Sequence, residues 1–144
     1  MKFAAVSFVL ALVISATPLF AAETPYSPDW AEVAPKRVIQ HPASDGESLV
    51  KTIAALLPGD HLVIAAGNYH VERMWDIRVS GTAEAPIWIV AEEGGQVVLT
   101  RPDAKQNVLN IGQGGPVEYL CLRGFEITGG SHGLRLGQCR EVWI

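Results

Sequence analysis

A single glycine separates two strand-like runs, Tyr119–Arg123 and Phe125–Thr128, and a glycine pair, Gly129-Gly130, stops the second. No other stretch restricts the fold of this chain so strongly. A helix does not hold three glycines among β-branched and aromatic residues over so short a span. A hairpin usually needs about two to five turn residues between its strands, and here Gly124 stands alone. One glycine is enough for a corner, after which the chain continues as strand. A chain that turns corners without reversing winds, so the expectation is a β-solenoid.

The remaining segments fit around that expectation. Hydrophobic residues make up 49% of the 144, and the formal charge is −4. This is the composition of a folded globular chain, with too little basic character for a nucleic-acid partner. Two cysteines are too few for a disulfide-dense scaffold. Met1-Lys2, the apolar run Phe3–Ile14 and the small residues Ala21-Ala22 have the layout of a secretory signal peptide. The run is shorter than the roughly 20 residues of a membrane span. Residues 1–22 are therefore read as a cleaved signal. The mature protein is expected to be secreted or periplasmic, with no stable membrane span.

Residues 23–43 contain four prolines and no sustained periodicity, which reads as an extended lead-in whose Trp30 and Val33 pack onto the body. Residues 44–59 carry the helix. Ser44-Asp45-Gly46-Glu47 has capping-box spacing, and Leu49, Ile53, Leu56 and Leu57 form one apolar stripe, with Pro58-Gly59-Asp60 as the stop. A short helix of this kind suits the role of an N-terminal cap over an open end of sheet. From residue 60 to residue 144 the chain alternates strand and corner. Turns are expected at Gly67-Asn68 and Gly94-Gly95, and the polar loop Arg101–Gln106 is read as a projecting insertion.

An internal similarity supports winding. Leu109–Gln113 matches Leu134–Gln138 at an offset of 25, and Glu118–Leu120 matches Glu141–Trp143 at an offset of 23. Periods in the low twenties suit one turn of a repeat fold. Alternation then places Leu120, Leu122, Leu134 and Leu136 inward and Cys121, Arg123 and Arg135 outward.

Three segments carry a resemblance. Leu57–Tyr69 resembles the first-coil signature of right-handed parallel β-helix proteins of the pectate-lyase-like superfamily. Ser80–Ile89 and Tyr119–Gly130 are similar to later segments of the same family. The resemblance runs from about Ser44 to Ile144 and is nearest to the exported branch that contains alginate and chondroitin lyases. It implies an all-β fold, a right-handed parallel β-helix with a short N-terminal capping α-helix. It also implies an acidic polysaccharide as partner and β-elimination as chemistry. The alternative is a non-catalytic β-helix that binds glycan or serves as a surface scaffold. Family lyases place their catalytic lysine and arginine, and their calcium-binding acids, on central coils, so no catalytic residue is identifiable here. No cofactor is expected of this chain, calcium being implied only for a full-length parent. The sequence stops inside a strand at Val142-Trp143-Ile144, as expected of the N-terminal part of a longer or truncated protein. Such an uncapped C-terminal end would favour self-association.

The site candidates are few. Arg123 and Arg135, on outer faces, could take sugar carboxylates with their guanidinium forks. His132 sits at a corner where it could carry a proton. His61, His70, Asp60 and Glu72 match no metal-ligand spacing, and Cys121 and Cys139, 18 residues apart, are not expected to stack directly.

Overall fold

The structure, a computed structural model, describes residues 27–144. The signal segment and the first residues of the lead-in lie outside the described residues. In chain order the elements are β1 (Arg37–His41), α1 (Gly46–Ala54), β2 (Asp60–Ile64), β3 (Gly67–His70), β4 (Asp76–Ile77) and β5 (Ile87–Ala91). There follow β6 (Val97–Arg101), β7 (Leu109–Ile111), β8 (Val117–Arg123), β9 (Phe125–Gly129), β10 (Leu134–Leu136) and β11 (Cys139–Trp143), and a 3-10 turn at Asp29–Glu32 precedes them all.

Every pairing between these strands is parallel. The strands form a five-stranded sheet, β1-β2-β5-β8-β11, and two three-stranded sheets, β3-β6-β9 and β4-β7-β10. This corrects the expected right-handed parallel β-helix. The chain is divided among three separate small sheets, and the interval between paired residues is not constant. Asp76 meets Asn110, 34 residues on, whereas Glu118 meets Arg140, 22 residues on. A solenoid repeats one unit at a nearly fixed length, and connections of such different length do not. The fold is all-β, three small parallel sheets and one helix.

Aliphatic columns hold the sheets to one core. In the five-stranded sheet Leu62, Ile89 and Leu122 stand in register, as do Ile87, Leu120 and Val142. Tyr69, Leu99 and Ile127 align in the second sheet, and Ile77, Ile111 and Leu136 in the third. All but Val142, Ile127 and Leu136 are buried. Burying an aliphatic side chain of this size contributes about 1.5–3 kcal/mol, so these columns dominate stability. Leu136 stands in its core column on the inward side as expected, but it stays 51% exposed because β10 is the edge strand of its sheet. Register also corrects the second offset: Val142 pairs with Leu120, 22 residues back rather than 23. The first is as read, with Leu134 opposite Leu109.

Gly124 joins β8 to β9 as a one-residue corner between two sheets. Its φ is +83°, where an L side chain is strained. A Cβ there would lie 2.9 Å from the Cβ of Ala91, in the strand alongside.

Helix α1 covers the core with Leu49 and Ile53, followed by Leu56, all buried. Leu57, read as part of this stripe, is 60% exposed because the helix has already ended at Ala54. The cap residue is Asp45, whose carboxylate accepts from Ser48 N–H at 2.6 Å, and not Ser44. Ser44 Oγ is engaged elsewhere, 2.8 Å from His41 Nε2, while His41 Nδ1 meets Thr52 Oγ1 at 3.1 Å. Gly46 lets the helix start against the carbonyl of His70, where a Cβ would overlap the backbone.

The lead-in is more ordered than its composition implies. β1 adds an edge strand to β2, and Arg37 grips Asp60 through two hydrogen bonds of 2.9 and 2.6 Å. Trp30 is buried, its Nε1 donates to Glu141 Oε2 at 2.9 Å, and its ring meets Tyr119 edge-on. Gly67-Asn68, expected to be a turn, is the start of β3. No helix among the described residues is long and apolar enough to cross a membrane.

Candidate functional site

Two surface features bring chemically capable side chains together. The first is a groove of about 490 Å³ lined by Lys105, Asn107, Ser131, His132, Leu134 and Arg135. Two loops build it, residues 102–108 after β6 and residues 130–133 between β9 and β10. Their backbones lock together, since Ser131 N–H donates to Gln106 O at 2.7 Å and Val108 N–H to His132 O at 2.9 Å. Arg101, read as the start of a projecting loop, is instead buried beneath this junction. Its guanidinium donates to Asn107 O and Glu72 O.

A chain of amides forms the floor. Ser131 Oγ donates to Asn107 Oδ1 at 3.1 Å, Asn107 Nδ2 to Asn110 Oδ1 at 2.8 Å, and Asn110 Nδ2 to Trp75 O at 3.2 Å. This network joins three segments distant in sequence and fixes the loop positions. The lining also holds Lys105, His132 and Arg135 and no carboxylate. Among the described residues neither Lys105 nor Arg135 makes an ion pair. His132 Nδ1 lies 3.3 Å from Ser131 Oγ. Two basic side chains with free donors, Lys105 and Arg135, flanked by His132 and by amide and hydroxyl groups, can hold a carboxylate and hydrogen-bond the hydroxyls beside it.

The second feature is the outer face of the five-stranded sheet. Register stacks His61, Trp88, Cys121 and Trp143 in one column and places Val63, Val90 and Arg123 in the next. The His61 and Trp88 rings stack with centroids 5.8 Å apart, and Trp88 meets Trp143 edge-on at 5.9 Å. The Arg123 guanidinium carbon lies 4.9 Å from the Trp143 ring centroid. Cys121 points outward as read but is buried in this column. That burial pushes its thiol up to about 12, against a smaller lowering by Arg123. It stays a neutral thiol at physiological pH, without the thiolate that a nucleophile needs.

Arg123 and Arg135 are thus on different sheets, each at its own groove. The other candidates are not gathered. Asp60 is held by Arg37, His61 stacks on Trp88, and His70 lies in a different sheet. Among the described residues no three His, Cys, Asp or Glu side chains are grouped to hold a metal ion. Cys121 and Cys139 are both free thiols, with Cys139 packed against the core rather than in the outer column. Sequence reasoning missed Lys105, Asn107 and Ser131, whose convergence depends on how two loops close. Trp88 and Trp143 could have been placed outward from the alternation of Ile87, Ile89 and Val142, but their adjacency needs the register.

No family model matches the chain, and none of the curated proteins matches it. Among solved structures it is similar to the crystal structure of an alginate lyase from Paenibacillus sp. str. FPU-7. The TM-score is 0.61 and the sequence identity 23%, covering 72% of this chain and 34% of that one. The chain spans about a third of that enzyme's length, and at this identity the likeness is one of fold.

Proposed function

We propose that this chain binds acidic polysaccharide in the groove of Lys105, His132 and Arg135, as part of a polysaccharide-lyase-like protein. The observation that carries the reading is the groove itself: three basic side chains and no acidic lining, in a chain of net charge −4. The fold likeness to an alginate lyase supports the same substrate class, a polyuronate. Arg135 offers a planar fork to one uronate carboxylate, Lys105 a point charge to a neighbouring one, and Asn107 and Ser131 hydrogen-bond ring hydroxyls. In β-elimination a base removes the proton beside that carboxylate while cations steady the developing charge, and a groove of this composition suits the second task. The reading places the protein outside the cytoplasm, secreted or periplasmic, as the Met1–Ala22 segment implies.

Isothermal titration with alginate oligosaccharides tests it. Binding should weaken as salt is raised, and the Lys105→Ala/Arg135→Ala double variant, which removes two charged contacts, should bind at least about tenfold more weakly. Equal affinity for a neutral glucan, or full binding by the double variant, would refute the reading.

A further inference from the structure

We infer that the outer face of the five-stranded sheet is a second saccharide subsite, in which Trp88 takes the apolar face of a sugar ring and Arg123 its carboxylate. The inference rests on the reading of the chain as an acidic-polysaccharide binder and adds a site on a different sheet. Trp88 and Trp143 are half-buried at outward positions, in a column with His61. Tryptophan combines a broad apolar ring with a polar edge, which suits a surface that is covered part of the time.

The polar groups around the rings point the same way. Arg123 is exposed, and among the described residues its side chain makes neither an ion pair nor a hydrogen bond; its guanidinium lies over the Trp143 ring. Its five donors are free, and its planar group is held over an aromatic face. Glu93 lines the same open groove of about 460 Å³ as Trp88 and Arg123 without pairing with the arginine. An aromatic platform, an unpaired guanidinium and an unpaired carboxylate in one groove match a uronate residue: ring face, carboxylate and hydroxyl donors in turn. A second copy of this chain is a poorer match. Beside Trp88, Trp143, Val63 and Val90 this face carries Glu93 and Arg123, two charges with no ion-pair partner among the described residues that the buried centre of a stable dimer would have to desolvate.

Tryptophan fluorescence reads this subsite through the half-buried Trp88 and Trp143, with Trp88→Ala as the control against any response of the buried Trp30 and Trp75. Titrating the full chain with a uronate tetrasaccharide should change the emission. Arg123→Gln, at an exposed side chain, should weaken that change about tenfold. Trp88→Ala should abolish it, and Lys105→Ala/Arg135→Ala should leave it in place. If Arg123→Gln and Trp88→Ala bind as the wild type while the double variant alone loses binding, the subsite is refuted and the basic groove stands. If the emission change survives only on the platform and the double variant binds fully, the groove reading falls and this one stands. Absence of saccharide binding by every protein overturns both. A dimer in sedimentation that Trp88→Ala dissociates, with no saccharide bound, would assign the face to a second copy.

Discussion

Replacing Gly124 with alanine measures how firmly the one-residue corner between β8 and β9 is determined. Two terms oppose the methyl group. At φ +83° an L residue is strained by about 1–2 kcal/mol. The new Cβ would lie 2.9 Å from the Ala91 Cβ, so the strands must shift, and overpacking of this kind costs about 1–3 kcal/mol. Reduced freedom of the unfolded chain returns about 0.4–1 kcal/mol. The net loss for Gly124→Ala is about 2–4 kcal/mol, a large share of the roughly 5–15 kcal/mol of a typical domain. Gly94 supplies the control, with φ +71° but nothing within 4 Å of its Cβ position. Gly94→Ala should therefore lose only about 1 kcal/mol, the strain less the chain term. Urea denaturation followed by tryptophan fluorescence reads both variants. Adding Ala91→Gly should restore part of the Gly124→Ala loss, a coupling between touching residues. Equal losses for Gly124→Ala and Gly94→Ala, within about 0.5 kcal/mol, would refute contact with Ala91 as the reason for glycine at this corner.

Two further expectations concern the core and the response to acid. Leu120→Ala removes a fully buried column residue and should cost about 2–5 kcal/mol, whereas Leu136→Ala, on the exposed edge strand, should cost under about 1 kcal/mol; comparable losses in urea melts would contradict the column assignment. Burial holds His41 below its ordinary value, with Asp45 pulling weakly the other way. Its contribution is therefore complete above the ordinary histidine range and is lost as pH falls through the lower folded value. Asp60 is lowered first by its hydrogen bond to Arg37, so its contribution is complete above the ordinary carboxylate range and fades only at more acidic pH. Stability measured against pH should accordingly fall in two stages, with Asp60→Asn flattening the lower one. His41→Gln should reduce the upper stage without removing it, because His61 is lowered by burial in the same direction. A profile unchanged in both variants would refute these assignments.

The sequence made some of this architecture visible. Alternation placed Leu120 and Leu122 on the core side, and the Leu109/Leu134 correspondence anticipated a real strand pairing. What it could not reveal depends on distant partners. β1 is flanked by Pro35 and Pro42 and has no strong pattern of its own; it becomes a strand by pairing with β2 and through the Arg37–Asp60 bridge. Ser44 has the spacing of a cap, but its hydroxyl is engaged with His41, leaving Asp45 to cap. Gly67-Asn68 reads as a turn in isolation and becomes strand because β6 lies beside it. The solenoid expectation extended one local similarity to the whole chain, whereas connection lengths vary between strand pairs. Arg123 and Arg135 were visible as outward residues. The lysine, amides and aromatic rings that turn their neighbourhoods into grooves were brought there by loop closure and by register.

Amide chemical-shift mapping on the isotope-labelled chain, titrated with a uronate oligosaccharide, tests the proposed function most directly. Shifts should concentrate at Lys105–Asn107 and Ser131–Arg135, with a second cluster around Trp88 and Arg123. Shifts confined to other surfaces, or a spectrum that does not move at all, would contradict it.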